Sequence, residues 1–447
     1  MMASIFAWVI TMNSKSTLIV TAALIWPGIG YAEVTLDGSL GTIFVNPGDS
    51  VPAGNGFTYD IKAELGQQAG PNLFHSFDKF NIGLGERANF SGPANISNVV
   101  SRVTGGESSI AGKITSSISG ASLWLVNPAG FILTNGAIVD VDGTFHLSTS
   151  DFLAFSDGAR YFSNLSATST LSTSTITSFG FLADSRGTIN IDSGRGLTGN
   201  EGAGEDESAG HNFNVNADFI SIQNSDLHAQ EIGIRMGDAT FGDIKIGSSL
   251  LETVSGAVFF QGGNIYAVDS LITASGRDSA VDVRANSLTL EGINGTSAIR
   301  SGELGASGGD IDIVANNITL LNNAELSTSS GGGRDGGDIR LDATTILISD
   351  NSQLALFAGT GSQAGDIIID TTDILIKKSS SLNSSSKFQG ATAGSIQIKA
   401  SGRFGIESGS SLLAESDNDG IGGSVSVTAA NIVITEVALS LLGHCFN

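Results

Sequence analysis

The chain has 447 residues, with 59 Gly, 6 Pro, a single Cys and only 15% charged residues. Its formal charge of −23 repels phosphate backbones and anionic membrane surfaces and excludes a nucleic-acid-binding role. A hydrophobic content of 40% and a mean hydropathy of +0.18 exclude a disordered chain, and glycine without a three-residue period, beside scarce proline, excludes collagen. What remains is a folded chain rich in turns and strands, and the composition favours one elongated repeat domain over several compact ones.

In chain order, Lys15 precedes an apolar run over residues 17–26, and Gly30 and Ala32 stand at signal-cleavage spacing. Residues 1–32 are therefore predicted to be a secretory signal peptide, with Glu33 opening the mature chain and Met1 and Met12 both available as starts. The run is too short for a helix across a bilayer core of ~30 Å. The alternative is an uncleaved anchor that also uses residues 5–10, although Asn13, Ser14, Lys15 and Ser16 interrupt it. Cys445, the sole thiol, allows no intramolecular disulfide and no thiolate metal cluster. Such a chain can cross an oxidising compartment unfolded without being trapped by cross-links.

Strand-like runs at 122–126, 131–133, 138–141 and 145–148 alternate with Gly, Asn, Asp and Ser clusters, and helical periodicity is nearly absent. Beyond about residue 300 a marker recurs: Gly309-Asp310-Ile311, Gly337-Asp338-Ile339, Gly365-Asp366-Ile367, Gly394-Ser395-Ile396 and Gly423-Ser424-Val425. The period is 28 or 29 residues. Val281-Asp282-Val283 aligns with Ile311-Asp312-Ile313 one repeat upstream, and Gly263-Asn264-Ile265 reads as a looser, earlier member. One repeat holds strand candidates at 310–314, 317–320 and 324–327. Three strands and no helix suit one turn of a three-sided parallel β-helix, whereas a propeller blade needs four strands. Ile311, Ile313, Ile318, Leu320 and Leu326 are predicted to point inward and stack between turns. With turns ~4.8 Å apart, about 17 turns would give a rod of roughly 80 Å, capped at one end by the less regular, more aromatic N-terminal third.

That third carries six strings in a recognisable order. They are Asp37-Gly38-Ser39-Leu40-Gly41; Asn72-Leu73-Phe74-His75-Ser76-Phe77 with Phe80-Asn81-Ile82; Asn98-Val99-Val100-Ser101-Arg102-Val103-Thr104-Gly105-Gly106; Leu125-Val126-Asn127-Pro128-Ala129-Gly130-Phe131-Ile132; Gly143-Thr144-Phe145-His146-Leu147-Ser148-Thr149-Ser150-Asp151; and Ser178-Phe179-Gly180-Phe181-Leu182. Over residues 34–182 the chain resembles the secretion domain of filamentous haemagglutinin-like exoproteins, the exported partners of two-partner secretion systems. At Ala129 it departs from the family's usual second Asn. The resemblance implies a right-handed parallel β-helix, a single-stranded solenoid with an N-terminal β-rich capping and secretion domain. It divides the chain into a signal peptide (1–32), a filamentous haemagglutinin N-terminal domain (33–185), a β-helix repeat region (186–435) and an atypical tail (436–447). It also implies export by the general secretory machinery, capture in the periplasm by the periplasmic domains of an outer-membrane transporter, and an extracellular or cell-surface adhesin, a non-enzyme without cofactors, whose receptor is a host or cell-surface protein or glycan.

Asn72, Phe74, His75, Phe77, Arg102, Asn127, Pro128 and Gly130 are the residues expected to serve recognition by the transporter. An extended segment added to a sheet edge would supply backbone bonds, and Phe74, Phe77 and Phe80 would supply side chains for pockets. The structural alternative makes these aromatics the core of the cap and Asn127-Pro128-Ala129-Gly130 a β-turn, with Asn first, Pro128 fixing φ and Gly130 fourth. No ATP-binding motif is visible, so export energy is expected to come from turn-by-turn folding outside the cell.

Chemistry is sparse. His75, His146, His211, His228 and His444 show no metal-ligand spacing, and there is no nucleophile elbow, Walker loop or dinucleotide fingerprint. Glycines 331–333 with Arg334-Asp335-Gly336-Gly337-Asp338 read as a turn, and the acidic stretch at 201–207 as an exposed loop. Asp310, Asp338 and Asp366 would stack as a carboxylate column, with pKa values pushed upward, and are the one calcium candidate against a solvated turn position. Two other functions stand beside the adhesin. A polysaccharide lyase or hydrolase would use pairs such as Asp140/Asp142 or Asp310/Asp312, but no basic partner converges on them. A truncated haemolysin or contact-dependent toxin would need a C-terminal effector. The apolar tail after Thr435 either folds over the rod end or marks a truncated product.

Overall fold

The computed structural model describes residues 33–436 apart from 42–45, 55–56, 183–186, 193–211, 236–241, 254–255, 276–278, 303–307, 330–333, 387 and 417–419. The leader, the acidic stretch at 201–207, glycines 331–333, His211, His444, Cys445 and the tail after Glu436 lie outside the described residues. Within them, strands dominate, and the one helical element is a single 3-10 turn at Ala63–Leu65.

The strands wind into a three-sided parallel β-solenoid. On the first face, twelve parallel pairings link Asn72–Asn81 through successive turns to Val425–Thr435. That is about twelve turns and roughly 60 Å at ~4.8 Å per step, shorter than the 17 turns expected from chain length. Part of the difference is local: residues 152–180 leave the coil as an antiparallel sheet of Phe152–Phe155, Arg160–Phe162 and Ile176–Gly180 and add no turn, and the later turns each consume 28 to 30 residues.

The repeat marker holds in three dimensions. Val281, Ile311, Ile339, Ile367, Ile396 and Val425 form one register column. Ile311, Ile313, Ile318, Leu320 and Leu326 all point into the continuous apolar core. Gly263-Asn264-Ile265 does not belong to that column: Asn264 pairs with Ser287 on the second face, while Val258 is the residue that stacks beneath Val281. Strand Val258–Val268 serves both faces of its turn, so a short string match selected the wrong half of it.

Corners are built from side chains that replace lost backbone pairing. Asn316 Nδ2 donates to Asn286 Oδ1 (2.8 Å), and Asn286 Nδ2 donates to Asn264 Oδ1 (3.2 Å), at the bend between the first two faces. Between the second and third faces the chain turns through left-handed residues, Asn322 and Asn323 in one turn and Asp350 and Asn351 in the next; Asn and Asp tolerate this conformation because their short polar side chains bond locally. A buried serine follows the corners at 350–351, 378–379 and 408–409, and Ser352, Ser380 and Ser410 each accept from the backbone N–H one turn earlier.

The first turn is closed rather than open. Glu33–Leu36 and Gln67–Ala69 pair antiparallel with Asn72–Asn81 and cover its outer edge. Among the described residues every antiparallel pairing lies before residue 181.

Candidate functional site

The residues singled out by sequence converge on the first turns of the solenoid. In Asn72–Asn81, alternation sends Leu73, His75 and Phe77 into the coil and Asn72, Phe74 and Ser76 outward, yet both sets are buried, because the antiparallel sheet at 152–180 lies over the outer side. Phe74 sits with Val100 and Val126 against Phe155 and Tyr161, its ring centroid 6.0 and 5.0 Å from theirs. Phe77, Phe80 and Phe90 fill the interior below, at centroid separations of 5.2 and 6.2 Å.

Two polar ladders clamp that sheet to the coil. In the first, Asn72 Nδ2 donates to the carbonyls of Ser172 (2.9 Å) and Ser174 (2.8 Å). Asn98 Nδ2 then donates to Asn72 Oδ1 (2.9 Å), and Trp124 Nε1 to Asn98 Oδ1 (3.0 Å). Trp124 stacks on His146 with centroids 3.5 Å apart. In the second, Arg102, 4% exposed, donates through Nε to Ser76 Oγ (2.6 Å), through Nη1 to the Phe162 carbonyl and Ser169 Oγ, and through Nη2 to Ser39 Oγ (2.9 Å). Its guanidinium lies 4.6 Å over the Tyr161 ring. Ser76, Ser39 and Thr104 in turn donate to the Asp37 carboxylate. Tyr161 donates its hydroxyl to the His75 carbonyl (2.9 Å), and burial pushes its phenol pKa up.

His75 is fully enclosed, parallel to Phe77 and edge-on to Phe90, and neither ring nitrogen has a hydrogen-bond partner. Burial lowers its pKa to about 3, so the ring is neutral. Burial also lowers His146 to about 3, assisted by the charge of Arg235.

Asn127-Pro128-Ala129-Gly130 forms the expected turn. Gly130 N–H donates to the Asn127 carbonyl (3.0 Å), Asn127 Oδ1 accepts from Ala129 N–H (2.9 Å), and Asn127 Nδ2 holds Gly106 O and Ser108 Oγ one turn away. Gly130 has φ +108°, and a Cβ there would stand 2.6 Å from the Thr188 carbonyl, so both dihedral and space require glycine. Pro128 and Ala129 form the accessible crest of this turn.

The aspartate column is real but occupied. Asp310 Oδ1 accepts from Asp338 N–H (2.8 Å), Asp338 Oδ1 from Asp366 N–H (2.8 Å), and Asp366 Oδ1 from Ser395 N–H (2.7 Å), while Arg340 bridges the Asp310 and Asp338 carboxylates. Desolvation, with the neighbouring carboxylates, raises the Asp338 pKa. Each carboxylate caps the next turn's backbone. Among the described residues no group of three or more acidic, His or Cys side chains is arranged to hold a metal.

The site is thus a clamp: it fastens an antiparallel flap to a parallel coil. The family model of the TPS secretion domain matches residues 32–413. The chain belongs to that family. The TPS domain identifies a two-partner secretion exoprotein, secreted through the outer membrane with an outer-membrane transporter as partner. No curated protein matches the chain. In this TPS exoprotein the match runs well past residue 182, where the sequence strings end, and into the repeats.

Of the eight residues expected to serve transporter recognition, Asn72, Phe74, His75, Phe77 and Asn127 are inaccessible in the folded domain and Arg102 nearly so. Sequence reasoning did not single out Asp37, Ser39, Ser76, Trp124 or Tyr161 as parts of the clamp. Asp37 and Arg102 are far apart in the chain, and only the coil brings them to one network.

Proposed function

We propose that this TPS exoprotein is a surface-bound or released adhesin whose domain over residues 33–185 both initiates and caps a rod over residues 186–435. What supports this reading is the clamp: the N-terminal flap is fixed by buried polar ladders to the first turns, so a folded cap supplies the edge on which later turns stack. The transporter reads the 72–77 segment while it is still extended, since its side chains are buried once the cap has closed; backbone bonding to a sheet edge in the transporter then provides the recognition. The exposed crest at Pro128 and Ala129 is the part of the site that stays readable after folding. Residues 1–32 act as the signal peptide.

Export is driven by folding outside the cell, one turn after another, which opposes back-sliding. Asn317 and Thr345 are register partners on adjacent turns, within disulfide reach at ~4.8 Å once both are Cys. In cells expressing the chain with its transporter, the Asn317→Cys/Thr345→Cys pair is expected to stall release when oxidised and to restore it on reduction. Unchanged release of the oxidised pair would sink the folding-driven step. Binding of purified chain to cell surfaces, against none for a cap-only fragment, tests the adhesive role.

A further inference from the structure

The third face carries a cleft that no sequence pattern revealed. Strands Leu250–Thr253, Leu271–Ala274, Ala298–Ser301 and Glu325–Ser329 present Glu252, Thr273, Arg300 and Ser327 as one outward column, each a register partner of the next. Beside this column a cleft of about 690 Å³ is lined further by Leu250, Leu271, Glu325 and Phe357. Its lining spans five turns, from Leu250 to Phe357, roughly 19 Å.

Its polar groups are held in place yet retain bonding capacity. Glu252 accepts from Ser275 Oγ (2.9 Å) and pairs with His228 Nδ1 (3.2 Å), which leaves part of its four-site acceptor capacity unused among the described residues. Arg300 donates Nε to Glu325 Oε1 (2.9 Å), and Glu325 is fixed from two further sides by Ser327 Oγ (2.7 Å) and Gln353 Nε2 (3.0 Å). Among the described residues the two Nη groups of Arg300 carry no further bond. Phe357, 46% exposed, sets an aromatic face at one end, and Leu250 and Leu271 form an apolar floor.

We propose that this cleft binds a neutral, hydroxyl-rich oligosaccharide lying along the rod. Vicinal hydroxyls match a carboxylate and a guanidinium, each able to take two bonds, and the C–H face of a pyranose suits an aromatic ring and a leucine floor. The ligand is neutral because two carboxylates face one guanidinium in the cleft and the whole chain carries −23, which repels sulfated or uronic polymers. The cleft binds and does not cleave. Glu252 and Glu325 stand three turns apart, beyond the ~5–9.5 Å that either glycosidase geometry needs. The hydrogen bond from His228 also keeps the Glu252 carboxyl below its ordinary range, the wrong direction for a general acid.

This assignment gives the adhesive reading its ligand class and rests on that reading only for its biological use. The test is calorimetric titration of the purified full chain with maltohexaose, cellohexaose and chitohexaose, with a heparin hexasaccharide as the polyanionic comparison, and cell binding is measured separately. At least one neutral hexaose is expected to bind, with Arg300→Ala and Phe357→Ala each weakening it about tenfold or more without lowering the melting temperature, and Lys378→Ala, outside the cleft lining, leaving it unchanged. Binding of none of the three, binding untouched by both cleft variants, or binding of heparin alone would overturn the proposal. Cell binding that persists in both cleft variants would leave the adhesive reading standing while removing this cleft from it.

Discussion

The two ends of the solenoid meet solvent in opposite ways. At the N-terminal end, Asn72–Asn81 has antiparallel partners along its outer edge and phenylalanines packed on its inner face. At the far end, among the described residues, Val425–Thr435 pairs only with Ile396–Glu407, and its inner residues Val425, Ile432 and Ile434 are 36%, 50% and 52% exposed. Yet Val425 stands in the same register column as Ile396, which is fully buried one turn earlier. Residue type is nearly constant along the column, and neighbours alone decide burial. An apolar side chain in a solenoid contributes its transfer free energy only when a turn lies on both sides of it.

Substitution should expose this difference most sharply at the ring stack. Phe77→Ala empties a closed interior and is expected to cost about 3–5 kcal/mol, whereas Ile434→Ala at the open end should cost less than about 1 kcal/mol. Denaturant unfolding checks both, followed at Trp124 for the cap and by far-ultraviolet circular dichroism for the rod. Equal losses would show that the open end is covered in solution.

The clamp comes next. Arg102→Ala leaves buried hydroxyl and carbonyl partners without a donor and should cost about 3 kcal/mol, against about 0.5–1 kcal/mol for Arg340→Ala, whose carboxylate partners are all partly exposed. Protease cleavage of the 152–180 flap should accelerate in the first variant and not in the second.

A pH-dependent effect, small near pH 6 and growing as the pH falls, distinguishes the ends further. The folded-state pKa of His75 lies at about 3, below the unfolded value near 6.5. A base with a depressed folded pKa is neutral in the fold, so its contribution is intact above pH 6.5 and is lost progressively as pH falls from 6.5 towards 3. Stability curves of the parent and His75→Leu should therefore diverge by about 1.4 kcal/mol per pH unit below pH 6. Parallel curves would show that the ring is not enclosed. The smallest effect is expected at the aspartate column, where backbone amides and Arg340 already use the carboxylates; millimolar Ca²⁺ should leave the melting temperature unchanged, and a rise would reinstate a metal there.

Much of this was legible beforehand because solenoids repeat. The 28–29-residue spacing of Gly-Asp-Ile located a ladder whose columns the structure reproduces from Val281 to Val425, and the Asn127 turn carries the bonds its residues predicted. Other readings failed where sequence offers no sign of lateral position. Gly263-Asn264-Ile265 matched the marker but lies on another face. Phe74 looks the same whether it fills a partner's pocket or lies beneath a flap nearly a hundred residues downstream. Glu252, Arg300 and Glu325 are outward polar residues on separate turns, indistinguishable in sequence from any solvated strand face.

The sequence by itself therefore determined the period, the inward alternation and the family, since each depends on residues close together in the chain. The tertiary structure alone decided which polar residues meet: the Asp37–Ser76–Arg102 clamp and the Glu252–Arg300–Glu325 cleft. The physical reason is the coil itself. It sets residues one turn apart in sequence about 4.8 Å apart in space, and how many residues each corner consumes varies from turn to turn, so which outward side chains become neighbours is fixed only when the corners close.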